Sequence, residues 1–473
     1  MTERNPRIVV IAAAMVALLA LAYFAYTRPG YFTQTTYVGA FLVVEALIAA
    51  VWLYRRVFFP LLLVSFLFAG VDLPVGGGWN VARWVFLGTG ALVGCFIMLK
   101  ERNHRFGMFH VLAVFAVLAA LVSAAVSLYP DIATLKAASL FLLFVYGSTG
   151  ARLAVMAREN RFFEGLLIGC EGFVGVLGIL YSVGIEMMGN PNSLGAVTSV
   201  AAPILLWGVL LEENSFVRRR RWVLYGLCMY LAFHSHARAG MAAAVVSCGL
   251  LCFALRRYKL LFQGAAILLI LAAASAILDP PRFSDTVSRL AASVVYKEKD
   301  PALGVLSSRI SPWQAAVDTL RTHFWFGTGF GTSDTGLDAS EHLGKFSSSA
   351  KATTENGSSY LAIVAWVGML GVVPFAMMLA MLVVKIVRTL LWMRRSGNPA
   401  HPAIPLAMVL LAGMVHATFE DWMFAVGYHL CVFFWSLAFV FVDLAPSRPL
   451  PEFAFALPPG LTPHNVAGVS PSL

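Results

Sequence analysis

Four short polar stretches carry the residues that could do chemistry, and each adjoins a long apolar run. HSHARAG at 234–240 offers His234, His236 and Arg238. SSRISPWQAAVDTL at 307–320 offers Arg309 and Trp313, with Arg321 just beyond. TTENGSSYLAIVAWVGMLG at 353–371 offers Glu355, Asn356 and Tyr360. HATFEDW at 416–422 offers Glu420 and Asp421. Charge near lipid is expensive, so each ionisable group there is a functional candidate. Arginine stays charged and grips phosphate oxygens in pairs, which makes Arg238 and Arg309 candidates for an anion site. Arg238 equally reads as an interface arginine reaching for water. Partial burial raises a carboxylate pKa toward neutrality, so Glu355 at a helix mouth reads as a general base. It equally reads as a partner of the helix dipole. Glu420 and Asp421 read as a polar turn at a helix end.

Local signals refine this. Ser311-Pro312 predicts a helix start, with Ser311 as N-cap and Pro312 in the first turn. Arg309 just ahead of it would converge with free backbone N–H groups on one anion. Trp313 would anchor the short helix at the membrane surface. HFWFGTGFGTSD at 323–334 predicts a flexible glycine turn whose backbone could approach a ligand. It lacks the GK[ST] ending of a nucleotide loop. Asp334, Asp338 and Glu341 have spacing common in any acidic loop. There is no zinc motif and no Ser-His-Asp signature, so neither metal nor cofactor is expected. Six cysteines lie scattered through apolar runs and read as small buried hydrophobes.

The elements that must position these residues are membrane helices. Hydrophobic residues make up 59% of the 473 and charged residues 12%, against about 25% charged in a soluble domain. A bilayer solvates that much apolar surface, and water does not. Apolar runs fall near 8–27, 37–54, 57–71, 81–99, 107–128, 132–151, 163–184, 194–211, 222–235, 239–255, 260–278, 358–384, 403–419 and 423–443. Every second connection is basic, as at Arg55/Arg56, Arg152/Arg158/Arg161 and Arg218 to Arg221, and these clusters hold most of the 34 basic residues. The formal charge of +10 is therefore a topology signal and not a nucleic-acid footprint. The positive-inside rule puts both termini in the cytoplasm. The fold class is all-α, a polytopic helical bundle of about fourteen spans (12–14), with one large, partly helical periplasmic loop. Residues 1–278 carry helices one to eleven, 279–357 the loop, 358–443 three more helices, and 444–473 a Pro-rich cytoplasmic tail.

Over about residues 185–430 the chain resembles the O-antigen ligase and Wzy-type polymerase superfamily of bacterial envelope glycosyltransferases. GNPNSLGAVTSVAAP at 189–203, with Asn192, looks like the family's asparagine-centred turn. ARAG at 237–240 is similar to its Ser-Arg-Gly turn, with Ala237 in the serine position. SRISPWQAAVDTLRTHFWFGTGFG looks like its Arg…Trp segment and Gly-x-Gly turn. ENGSSYLAIVAWVGMLG looks like its His-Asn-x-x-Leu…Gly-x-x-Gly helix, with Glu355 where the family has histidine.

The resemblance implies metal-independent, inverting transfer of a glycan from an undecaprenyl diphosphate donor at the periplasmic face of a bacterial inner membrane. The acceptor would be lipid A core, a protein or a growing glycan. The products would be lipopolysaccharide or exopolysaccharide, by ligation or polymerisation. Arg238 and Arg309 would hold the diphosphate and Glu355 would assist the acceptor, with Asn356, His236, His234, Trp313, Arg321, Tyr360 and Asn192 binding substrate. His323 and His342 are further stand-ins for the missing histidine. Two rivals remain. One is a transporter or flippase of lipid-linked sugars, with Glu45, Lys136, Glu164 and Glu171 as intramembrane groups. The other is an inactive family member in an envelope assembly complex.

Overall fold

Lipid offers a backbone no hydrogen-bond partners, so an apolar chain of this kind must satisfy its peptide groups within helices. The computed structural model describes residues 54–70, 76–101, 106–156, 158–188, 191–278, 307–333 and 356–446, with isolated positions 281, 284 and 288. Among them there is helix and no strand. The first two apolar runs, most of the expected outer loop with Asp334, Asp338, Glu341, His342 and Glu355, and the Pro-rich tail lie outside the described residues.

A π-helical turn at Tyr54–Phe58 leads into α1 (Phe59–Ala69). Then come α2 (Gly76–Glu101), α3 (Met108–Ala125) and α4 (Pro130–Tyr146), which passes through a second π-helical turn into the short α5 (Arg152–Val155). These are followed by α6 (Glu159–Ser182), α7 (Pro191–Leu211), α8 (Ser215–His234), α9 (Arg238–Ala254) and α10 (Tyr258–Leu278). Last come α11 (Ser307–Thr322), α12 (Ser359–Ser396), α13 (Ala403–Ala417) and α14 (His429–Leu444).

Six described helices are long and apolar enough to cross a membrane. The shorter α9, α13 and α14 are apolar as well. The fourteen runs that hydropathy predicts include two outside the described residues, and the run at 423–443 becomes helical only from His429. Its first residues form a packed connection in which Met423 and Phe424 are buried beside the buried Trp422. The core centres on α7, with 83% of its apolar window buried against 28% for α6. α7 packs on α8, α9 and α13, and α12 packs on α3.

Two ionic groups correct the sequence expectation. Arg152, counted there as a topology charge, is buried and ion-paired to Asp443 of α14. It also donates to the Ser148 carbonyl at 3.2 Å. Glu171, a candidate transport group, is buried and held by Arg220 at 2.6 Å and Arg221 at 2.8 Å. A carboxylate fixed by two guanidiniums is a structural counter-ion, which removes one support from the transporter reading.

Candidate active site

α11 begins at Ser307, a turn earlier than the Ser311-Pro312 signal predicts, and Pro312 lies inside it. Proline has no N–H to return to the preceding turn, so α11 forfeits one backbone bond. The extension places Arg309 on the helix and not ahead of it. The expected convergence of Arg309 with free amides at Ser311 is therefore absent.

Another arrangement replaces it. Arg309 is buried and ion-paired to Glu420 in the connection between α13 and α14. The neighbouring carboxylate works on the next segment, where Asp421 Oδ2 accepts from the Asn356 amide at 2.9 Å. The Glu420 carbonyl accepts from both the amide and the hydroxyl of Ser359, at 3.0 and 2.6 Å. The same hydroxyl accepts from the Met423 amide at 3.0 Å. The 420–423 turn is thus tied to the first turn of α12 through its own backbone. Trp313 closes the group by donating to the Gly357 carbonyl at 3.2 Å and stacking on Phe419 at 6.4 Å.

Arg238 approaches from α9, near enough for the charge of Arg309 to act on it. Its turn is seated on the start of α7, where a Cβ on Gly240 would lie 2.5 Å from the Gly195 carbonyl oxygen. Ala237, the departure from the family's serine, is buried against Gly195. A third group flanks the pair. His416 is buried in the last turn of α13, and its Nδ1 accepts from Trp422 Nε1 at 2.7 Å. That bond fixes the tautomer with the proton on Nε2, which has no partner among the described residues. Arg309's charge reaches this ring too.

The glycine turn is not the flexible loop that its composition predicts. α12 breaks at Gly368, whose φ of 67° and ψ of −177° are not helical. The break strands the Ala365 and Trp366 carbonyls and the Met369 and Leu370 amides. The turn satisfies all four. Thr328 and Gly329 donate to the two carbonyls, both at 3.1 Å. The Phe324 and Trp325 carbonyls accept from the two amides at 2.9 and 3.3 Å. Ser123 of α3 adds a bond to the Trp366 carbonyl, and Lys136 of α4 donates to the Gly331 carbonyl. Lys136, another transport candidate, is thus a strut. What the turn's backbone approaches is its own chain.

Of the other expected residues, Tyr360 serves the fold by donating to the Met414 carbonyl at 2.8 Å. Arg321 is exposed and bonded to Asp318 at 3.1 Å. With Trp313 it lines an open groove of about 470 Å³ along α11. His234 and His236 are exposed, and the rings nearest His234 are Tyr181, Tyr230 and His236. His323 bonds Thr322 at the end of α11. Asn192 opens α7 beside Ser193, which bonds the Tyr428 hydroxyl. Sequence reasoning named Glu420 and Asp421 but read them as a polar turn, and it did not single out His416. The available signal was two adjacent acids at the same membrane face as two unexplained arginines.

These contacts gather Arg238, Arg309, Asn356, His416, Glu420 and Asp421 from α9, α11, the mouth of α12, the end of α13 and the α13–α14 connection. They make a charged cluster at one end of an apolar bundle, suited to binding an anion and moving a proton. Comparison with curated proteins finds no match to this chain. Residues 223–376 match the family model Wzy_C, O-Antigen ligase. Arg238, Arg309 and Asn356 lie inside that segment, and Glu420 and Asp421 lie beyond it. Over residues 223–376, then, this membrane-helical chain is similar to the O-antigen ligase family.

Proposed function

We propose that the protein is a membrane glycosyltransferase that moves a glycan from an undecaprenyl diphosphate carrier to an acceptor at the periplasmic face. The observation that carries this is the placement of two arginines from separate helices within electrostatic range of each other, one of them buried against Glu420. Guanidiniums stay charged and take phosphate oxygens in pairs, so an anion brought between two of them would be held by both. A diphosphate reaching Arg238 and Arg309 would take that place. It would also receive the charge that develops on the leaving oxygen.

The reaction balances without a cofactor. An acceptor hydroxyl attacks the anomeric carbon, the bond from that carbon to the diphosphate oxygen breaks, and the hydroxyl proton passes to a base. Attack from the face opposite the leaving group inverts the centre. Glu355 is the proposed base, one residue before the amide that Asp421 holds. Asp421 and Glu420 are the described carboxylates in the same group and can relay that proton. The donor arrives laterally through lipid, and the acceptor (lipid A core, a protein or another glycan chain) comes from the aqueous side. The proposed setting is the bacterial inner membrane with both termini cytoplasmic.

The test is the envelope glycan profile of a deletion strain complemented with wild type or with Arg309→Ala. Glycan held on the carrier and absent from the acceptor, restored only by wild type, supports ligation. Single repeat units on the acceptor would indicate polymerisation. An unchanged profile overturns both.

A further inference from the structure

Away from the arginine cluster, an apolar groove of about 400 Å³ opens between α1, α6, α7 and α14. Its walls include Leu63, Leu67, Phe162, Phe173, Val200 and Phe433. It is open because α6 offers glycine there: a Cβ on Gly165 or Gly169 would meet no atom within 4 Å. One mouth is strongly basic, with Arg55, Arg56, Arg158 and Arg161 all on its lining. Arg158 donates to the Arg55 carbonyl, which draws the chain before α1 against the start of α6. Partial desolvation, followed by the like charges of Arg56, Arg161 and Arg55, lowers the Arg158 guanidinium from arginine's ordinary value. Glu159 is the acidic residue adjoining the cluster.

The dimensions narrow the occupant. From Arg55 to Leu67 the wall runs ~18 Å at 1.5 Å per residue, a little over half of the ~30 Å hydrocarbon thickness. That is the depth of one leaflet. Apolar walls call for a lipid chain, and the arginine mouth calls for a phosphate within a bond of that chain's head. The proposed donor diphosphate does not fit this mouth. Arg158 and Arg161 start α6, whereas Tyr181 at its far end contacts His234, next to the Arg238 turn.

We propose that this groove is a binding site for one anionic phospholipid of the cytoplasmic leaflet, with an acyl chain between α1, α6 and α7 and its phosphate on the Arg55, Arg56, Arg158 and Arg161 cluster. The site rests on the membrane orientation proposed above and is independent of the transfer reaction. Its occupant ties α1 to α6 where the described side chains leave a gap.

The test uses the full chain in nanodiscs of phosphatidylcholine doped with phosphatidylglycerol, and counts retained lipid by native mass spectrometry. Wild type should retain one phosphatidylglycerol per chain. The Arg56→Gln/Arg161→Gln double variant changes only exposed side chains and should retain about tenfold less. Gly169→Leu should exclude the lipid while leaving the arginines in place. Equal retention of phosphatidylcholine, or no retained lipid, overturns the site. So does capture of residues 1–53 by a photo-crosslinker placed at position 64, which would show the groove filled by the chain itself. Retention of a polyprenyl lipid instead would assign the groove to the donor and leave the transfer proposal standing.

Discussion

Arg309 and Glu420 lie 111 residues apart in sequence and form an ion pair in which the side chains are only 10% and 14% exposed. Removing one partner of such a pair leaves an uncompensated buried charge and costs roughly 3–5 kcal/mol. Glu420→Gln should therefore lower the unfolding temperature of the detergent-solubilised protein. Arg309→Met/Glu420→Gln should recover most of that loss and still transfer no glycan. Transfer by the double variant would reduce the pair to a structural clasp.

Arg309→Lys keeps the charge and loses the planar fork. If paired contacts to a diphosphate matter, this variant should transfer glycan about 10²-fold more slowly than wild type. Arg238→Ala should lose as much with less effect on unfolding, because Arg238 is only partly buried. Rates come from acceptor-linked glycan formed by reconstituted protein. Full rates in both variants would exclude a diphosphate clamp.

Glu355→Gln should abolish transfer, and Glu355→His should restore part of it, since either a carboxylate or an imidazole can take the hydroxyl proton. Unchanged transfer by the glutamine variant would make Glu355 a helix-capping partner.

Gly368→Ala should be among the most damaging single changes outside the charged cluster. Its φ is in the left-handed region, and an added Cβ would lie 2.4 Å from the Trp325 carbonyl oxygen. Gly327→Ala meets the Trp366 carbonyl oxygen at the same 2.4 Å. Backbone strain alone costs about 1–3 kcal/mol, and the clash adds to it. Both variants should unfold at lower temperature than Gly249→Ala on α9, where a Cβ meets nothing. Equal unfolding temperatures would show that the turn is not clamped to the helix.

His401 gives a pH dependence. It lies in the α12–α13 connection, where its Nδ1 accepts from the Ala403 amide at 3.2 Å and its ring contacts Trp392. Burial lowers its pKa from 6.5. A depressed histidine contributes stability that is present above about 6.5 and lost as pH falls toward its folded pKa. Stability should decline in that window for wild type and decline less for His401→Asn, which retains an acceptor without a titrating ring. Identical pH profiles would remove His401 from the account.

Composition made the membrane class legible, because no soluble core hides this much apolar surface. The order of the motif blocks made the similarity over residues 223–376 legible, and it is also what directs attention to Arg238 and Arg309. Helix ends were less accessible. Hydropathy cannot distinguish a spanning residue from a buried one in a connection, so Met423 and Phe424 read as helix. Proline statistics favoured a start at Pro312, yet α11 begins earlier. Glu420 and Asp421 looked like an ordinary polar turn because their partners, Arg309 and Asn356, are remote in sequence. The glycine turn looked mobile because sequence shows a glycine's freedom and not the carbonyls that remove it.

The strap across the α12 break bears on how the protein can be divided. The segment that matches the family holds both arginines, yet it borrows Ser123 and Lys136 from upstream and Glu420 and Asp421 from downstream. Cut out alone, it would leave Arg309 without its carboxylate and the Asn356 amide without its acceptor. It is a unit of sequence similarity and not of self-sufficiency. A chimera that exchanges this segment must carry the 416–423 turn with it, and the ends of α3 and α4 that hold Ser123 and Lys136 as well.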